Sequence, residues 1–376
     1  MIAAVSFLGG LVGLLVGGHF VVDGASKLGE KFGLTPTVIG LTIVAAGTSA
    51  PELAVVFQAV AADDTELAVG SVIGSNIANV LLVLGLVACF GTIQVTSRLV
   101  RIDIPIMIVA SVALLVMSLD GRLGRLDGIM LFTGVVVFVI WTLRAAAKAS
   151  PIAAATETSD PNAAPATEAN QPLLVAIIGL IAGIGTLAVA ARFVVSGAEQ
   201  IATSLGVPEL IVGLTIVALG TSAPEIVTTI IAALKGRRDL AVGNAVGSNI
   251  FNILLVMGAT TTLAPNGIGI GSDAVRLDLP ILVAAAVACL PMVFWDGKLD
   301  RWEGGLFVSY YTAYLIFLVL DATGNRASDP FALVMIGFVM PLTVITVVVM
   351  ILRQRKATGG SSSDDEPLHK ARRANA

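Results

Sequence analysis

Cysteine and histidine are nearly missing from this chain, with two of each among 376 residues. Cys89 and Cys289 lie in separate apolar runs. Each reads as a small hydrophobe, and neither a disulfide framework nor a zinc site is suggested. Charge is scarce as well: 13 % of residues are Asp, Glu, Lys or Arg against 56 % hydrophobic, a balance that excludes a soluble globule. The net charge of −4 sits mostly in loops and says nothing about partners, and no nucleic acid is expected. There is no nucleotide-binding loop, no GxSxG and no HExxH, so primary-pump, protease and other enzyme readings lack support. The short alternating segments of a membrane β-barrel are missing too. The first apolar stretch carries neither a basic leader nor an A-x-A site, and reads as a membrane span instead of a cleaved signal.

What the chain does have is long apolar runs, each about 18 residues or more, the length a membrane helix requires. Eleven spans are expected, near 2–22, 36–61, 67–90, 103–118, 127–147, 173–195, 209–234, 240–263, 278–294, 304–321 and 331–352. Residues 149–171, rich in Ala, Thr and Pro, read as a flexible cytoplasmic linker. Residues 353–376 read as a disordered tail ending in a basic cluster.

The runs are duplicated. GLTIVAAGTSAPE at Gly40–Glu52 returns as GLTIVALGTSAPE at Gly213–Glu225. At the same offset AVGSVIGSNIAN (Ala68–Asn79) matches AVGNAVGSNIFN (Ala241–Asn252), and Phe20-Val21-Val22 matches Phe193-Val194-Val195. Arg101–Pro105 resembles Arg276–Pro280, and Asp120–Leu123 resembles Asp296–Leu299. Spans one to five (1–148) are therefore repeated as spans six to ten (172–322), and the eleventh span, within 323–352, has no counterpart. An odd number of spans per unit turns the second copy over in the membrane, an inverted repeat of the kind found in transporters. The expected fold is an all-α polytopic membrane protein: two inverted five-helix repeats forming a ten-helix core, plus one extra C-terminal helix. With the N-terminus outside, 17 of the 22 Lys and Arg fall on the cytoplasmic side, as the positive-inside rule prefers.

Each repeat carries one glutamate in an otherwise uncharged run: Glu52 within 38–62 and Glu225 within 210–234. A charged group at bilayer depth costs about 2.5–3.5 kcal/mol on insertion scales. Bearing that cost twice at matched positions indicates joint use. Pro51 and Pro224 have no N–H, so the carbonyls of Gly47 and Gly220 lose their helical partners and a break is expected at each motif. Freed carbonyls at this depth must be buried in protein or line a wet cavity. Thr48 and Ser49 add hydroxyls beside Glu52, and Ser75 and Asn79 are four apart on one face of the third span. The second repeat supplies Thr221, Ser222, Glu225, Ser248 and Asn252. Every candidate ligand is an oxygen, which suits Ca2+, Mg2+, Na+ or K+ and disfavours zinc and copper. Ca2+ accepts about six to eight oxygens in irregular geometry, and two carboxylates balance its charge.

Other features have ordinary readings. Gly70, Gly74, Gly243 and Gly247 permit close helix packing. His19 and Arg192 occupy equivalent interfacial positions, where polar heads snorkel. Asp103 and Asp278 each lie two residues from an Arg, so local pairing is expected. The turn Asp63-Asp64-Thr65-Glu66 reads as a solvated acidic loop on the outer side.

The duplicated GTSAPE and GSNxxN resemble the α-repeats of the calcium/cation antiporter superfamily, specifically prokaryotic sodium/calcium exchangers, over spans one to ten. The resemblance implies a multi-pass protein of the cytoplasmic (inner) membrane exchanging Ca2+ for Na+, with those ions as substrates and no resident cofactor. It implies that Glu52 and Glu225 bind Ca2+ with oxygens of Thr48 and Thr221. It assigns sodium sites to Ser49, Ser75, Ser222 and Ser248 with the carbonyls of Ala46 and Leu219, and sets Asn79 and Asn252 centrally. Potassium-cotransporting relatives typically carry Asp where Asn252 stands, which argues against potassium dependence. A proton/calcium antiporter and a cation channel are the alternative readings.

Overall fold

The computed structural model describes residues 2–148, 172–207, 212, 215, 218–290, 298–325 and 327. The expected linker, the eleventh span and the tail lie outside them. The described chain is helical apart from four two-residue strands. Among the described residues eight helices are long and apolar enough to cross a membrane. In chain order the helices are α1 Ile2–Phe32, α2 Pro36–Ala61, α3 Thr65–Phe90, α4 Leu99–Met117, α5 Arg125–Lys148, α6 Leu173–Ser204, α7 Ala218–Thr221, α8 Ala223–Leu234, α9 Arg238–Leu263, α10 Leu279–Val287 and α11 Arg301–Ala322. The seventh and ninth expected spans correspond to α7–α8 and α10, the described parts of those regions.

Two helices overrun their expected ends. α1 continues ten residues past Val22, because no breaker intervenes before Gly33, where φ is +66°. α6 runs to Ser204, and Gly206 beyond it has φ +81°. Both glycines lie just past a helix end in the left-handed conformation that suits a residue without Cβ. The apolar stretch therefore marks the span but underestimates the helix.

The inverted repeat is visible in the packing of α1 on α6. A Cβ at Gly24 would lie 2.8 Å from the Leu180 nitrogen and 2.9 Å from the Ala176 oxygen. The equivalent Gly197 has the equivalent neighbours, with the Phe7 nitrogen at 2.6 Å and the Ala3 oxygen at 2.8 Å. Gly10 and Gly183 form a second such pair, against Ala190 and Val194 and against Gly17 and Val21. Early residues of each helix meet late residues of the other, so the pair is antiparallel, joined backbone to backbone through glycines.

The strands obey the same symmetry. β1 (Ile93–Gln94) pairs with β4 (Lys298–Leu299), and β2 (Arg122–Leu123) pairs with β3 (Ile268–Gly269), both antiparallel. The turn after α3 thus shares one side of the molecule with the turn before α11. The turn between α4 and α5 shares the other side with the turn after α9. Two five-span units of opposite direction require this alternation.

α9 lies at the centre, with 94 % of its apolar window buried. It abuts α2 at main-chain distance. A Cβ at Gly243 would meet the Thr37 oxygen at 2.7 Å, one at Gly247 the Leu41 Cα at 2.8 Å, and one at Gly40 the Asn244 nitrogen at 2.8 Å. Gly243 and Gly247 therefore have the packing role expected of them. The counterparts of Thr37, Gly40 and Leu41 that would face Gly70 and Gly74 are not among the described residues.

Candidate functional site

Both GTSAPE motifs interrupt a helix. α2 is built of Pro36–Ile39, a π-helical turn Gly40–Val44, the single turn Ala45–Thr48, and Ala50–Ala61. The interruption falls at Ser49, whose ψ of −6° departs from the regular α-helical value while φ stays at −80°. Its equivalent, Ser222, separates α7 from α8 with φ −88° and ψ 2°. Both breaks precede the proline by two residues, where the missing N–H weakens the helix. Each glutamate thus sits in the first turn of the helix that follows a break, where unsatisfied main-chain N–H groups favour negative charge.

α3 and α9 supply the facing wall. Ser75 lies in the last turn of the α-helical part of α3, which ends at Ile77, and Asn79 lies in the π-helical stretch Ala78–Leu84 that continues it. In α9, Ser248 precedes the π-helical stretch Asn252–Met257, which Asn252 opens. π turns widen a helix, disturb its hydrogen-bond ladder, and often mark functional positions.

These elements bring the predicted residues together and shut them away from the surface. Glu52 is 2 % exposed, and Glu225, Asn79, Asn252, Ser49, Ser222 and Ser248 are fully buried. Ser75 and Asn252 stand beside the Glu52 carboxyl, and Thr48 and Ser49 stand beside that of Glu225. Each glutamate therefore has polar groups of the other repeat beside it, Asn252 for Glu52 and Thr48 and Ser49 for Glu225. The two carboxylates are near enough for their charges to act on each other. All four carboxylate oxygens, both polar atoms of the Asn79 and Asn252 side chains, and the Ser49 hydroxyl are buried without a hydrogen bond of good geometry, although Ser75, Asn252, Thr48 and Ser49 stand close to the carboxyls. Buried polar atoms are almost always paired, so this concentration of poorly paired atoms is exceptional.

The hydroxyls bridge the repeats directly. Ser222 Oγ donates to Ser75 Oγ at 2.9 Å. Thr48 Oγ1 lies 3.4 Å from Ser248 Oγ and 3.1 Å from the Val44 carbonyl oxygen. Ala46 and Leu219, half-buried, lie in the short turns before the two breaks, and Thr221 closes the second of them. Among the described residues no group of three or more His, Cys, Asp or Glu is gathered, so the two glutamates are the acidic component.

Sequence reasoning overlooked Asn244. It lies on α9 one turn before Ser248, its amide nitrogen donates to Thr229 Oγ1 at 2.8 Å, and its Oδ1 stands 3.5 Å from Thr48 Oγ1. The spacing Asn244, Ser248, Asn252, four apart each time, was a usable signal. It was hidden because the first repeat has Ser71 at this position.

The expected pairing of Asp103 with Arg101 is not made. Residues two apart point to different faces of a helix. Asp103, fully buried, instead meets Arg98 at 3.5 Å, and that guanidinium lies 5.5 Å from the Trp141 ring centre. Asp278 likewise accepts from Tyr314 Oη at 3.3 Å. His19, mostly exposed, contacts Asp23 at 3.1 Å.

Residues 2–144 and 175–320 match the family described as sodium/calcium exchanger protein. The chain is 36 % identical to the inner membrane protein YrbG of Escherichia coli over 71 % of its own length and 82 % of that protein. It is 29 % identical to the sodium/calcium exchanger MaX1 of Methanosarcina acetivorans, over 82 % and 96 % of the two chains. Its fold superposes on the solved sodium-calcium exchanger NCX_Mj, soaked with Na+ and Ca2+, with a TM-score of 0.69 and 27 % identity, covering 83 % of this chain and 97 % of that one.

Proposed function

Because the chain belongs to the sodium/calcium exchanger family, we propose that it is a secondary active antiporter that moves Ca2+ against Na+ through a single pocket formed by Glu52 and Glu225. The observation that carries this reading is the set of four carboxylate oxygens, buried between two broken helices without a hydrogen bond of good geometry. An uncompensated buried ion costs several kcal/mol, and the two charges also repel each other. A cation between them removes both penalties. Ca2+ takes both carboxylates, with hydroxyl oxygen from Thr48 and Thr221. Na+, smaller in charge, occupies the flanking oxygens of Ser49, Ser75, Ser222 and Ser248 and the carbonyls of Ala46 and Leu219. Asn79 and Asn252 lie centrally and turn amide oxygens to either ion.

The exchange rule follows from electrostatics. Ca2+ and Na+ compete for the same negative pocket, and only a loaded pocket has its charge balanced. Conformations that carry the pocket from one side to the other are therefore accessible when an ion is bound, and leak through the bare carboxylates is suppressed.

Seventeen of 22 Lys and Arg fall on the cytoplasmic side if the N-terminus is outside, which supports an N-out, C-in orientation in a cytoplasmic membrane. In that orientation an inward Na+ gradient drives calcium extrusion. A cysteine-free variant carrying Glu66→Cys or Lys31→Cys tests this: an impermeant maleimide added to intact cells labels the first and spares the second. The reverse pattern rejects the orientation.

The transport test is uptake of radiolabelled Ca2+ into proteoliposomes loaded with Na+. Uptake that saturates and requires the outward Na+ gradient supports the proposal. Uptake driven by a proton gradient without Na+ identifies a proton/calcium antiporter, and flux without any counter-ion identifies a channel. Either result rejects sodium exchange.

A further inference from the structure

We propose that Asn244, through Thr229, positions the Thr48 hydroxyl and thereby sets the pocket's preference for Na+ relative to Ca2+. This rests on the reading of Glu52 and Glu225 as the cation site. Asn244 and Thr229 are fully buried, and Thr48 is 1 % exposed. Asn244 Nδ2 donates to Thr229 Oγ1 at 2.8 Å. That bond fixes which end of the carboxamide faces Thr48: the oxygen, at 3.5 Å from Thr48 Oγ1. Thr48 has one proton and five acceptors near it: the carbonyls of Val44 and Ala45, Ser248 Oγ, Asn244 Oδ1 and, on the pocket side, the Glu225 carboxyl, so a cation held by Glu225 requires the proton to turn to one of the other four. The more acceptors behind the hydroxyl, the more firmly its proton is held away from the pocket and its lone pairs are turned inward. A cation needs those lone pairs, because an O–H directed at it repels.

The device exists on one side only. The first-repeat counterparts of Asn244 and Thr229 are Ser71 and Val56, which cannot form an amide-to-hydroxyl bond. Asn244 also belongs to the seam where α9 meets α2, since its main-chain nitrogen is the neighbour that a Cβ at Gly40 would strike. Its grip on Thr48 is thus built into the contact between the two repeats.

The two ions depend on Thr48 unequally. Ca2+ is held chiefly by two full negative charges. Na+ draws a larger share of its binding from neutral oxygens, so disorienting one hydroxyl weakens Na+ more. Residues that orient a ligand without touching the ion typically contribute about 10–100-fold to affinity.

The test replaces each residue by its first-repeat counterpart, Asn244→Ser and Thr229→Val, in full-length protein reconstituted in proteoliposomes. Both should raise the half-saturating Na+ concentration by about 10-fold, with the Ca2+ KM moving by less than about 2-fold. Thr229→Val should produce the smaller shift, because it frees the amide without removing it. If one variant does not fold, the other carries the test. A Na+ dependence unchanged in both, or an equal change for both ions, overturns the assignment. Glu225→Gln is measured in parallel. Normal exchange in that variant rejects the site itself, whereas loss there with unchanged Na+ dependence in Asn244→Ser and Thr229→Val rejects only the role of Asn244.

Discussion

The two repeats carry nearly the same thirteen-residue motif and build unequal halves of one pocket. Around the second, Asn244, Thr228 and Thr229 add three buried polar side chains. The equivalent residues of the first repeat are Ser71, Val55 and Val56. Each Ser of the motif is also treated differently: Ser222 bonds to Ser75 across the repeats, and Ser49 stands beside the Glu225 carboxyl. Duplication therefore fixes what must be symmetric, namely two carboxylates, two breaks and two π-widened walls. Divergence around it supplies what must differ, because a pocket that serves two ions and opens to two sides gains from unlike halves.

The largest expected effect tests the symmetric part. Glu52→Gln and Glu225→Gln should each lower Na+-dependent Ca2+ uptake by more than about 100-fold, beyond the range for a residue that only orients a ligand. Removing either charge leaves one carboxylate facing a divalent ion. If one variant retained near-normal transport while the other lost it, the glutamates would not act as a pair and the comparison would fail at its centre.

The seam comes next. Gly40→Ala and Gly243→Ala drive a methyl into main-chain atoms of the opposite repeat, which cannot move aside as a flexible side chain would. Overpacking of this kind costs about 1–3 kcal/mol. A lowered melting temperature in detergent is expected for both, measured by thermal aggregation. A melting temperature equal to that of the unaltered protein would show that the close approach of α2 and α9 is not maintained.

Much of this was legible beforehand because the repeat is nearly literal. Span positions follow from apolar runs, the breaks at Ser49 and Ser222 from Pro51 and Pro224, and the inversion from an odd number of spans per unit. What escaped has a physical reason in each case. The π-helical turns after Ser75 and Ser248 have no composition of their own. α1 continues to Phe32 because no breaker intervenes before Gly33, although its last turns are polar and fall outside the apolar run. Asp103 meets Arg98 instead of Arg101 because helical geometry, not proximity in sequence, decides pairing. Asn244 was passed over because searching for what the repeats share discards what they do not.

A smaller effect separates stability from transport. Ser222→Ala removes the donor to Ser75, and one lost hydrogen bond typically lowers stability by about 1 kcal/mol. Ser49→Ala removes a buried hydroxyl that makes no hydrogen bond of good geometry and stands beside the Glu225 carboxyl, so the fold should lose little or no stability. Both should weaken Na+ dependence. The pairing of a nearly unchanged melting temperature with poorer Na+ use in Ser49→Ala is the signature of an oxygen kept for cargo. Equal destabilisation by the two substitutions would remove this distinction between the halves.

The smallest effect lies at the rim. Lys235, following α8, meets Asp23 of α1 at 2.6 Å, with side chains 25 % and 32 % exposed. Exposed pairs of this kind are worth about 0.2–1 kcal/mol. Lys235→Ala should therefore shift the melting temperature little and leave both ion dependences intact. The pair ties a glycine-lined helix to the element bearing Glu225 and touches none of the buried oxygens. If its loss changed Na+ or Ca2+ saturation, the pocket's selectivity would have to extend to the α1 contact, and the difference between the halves would reach beyond the residues that line the pocket.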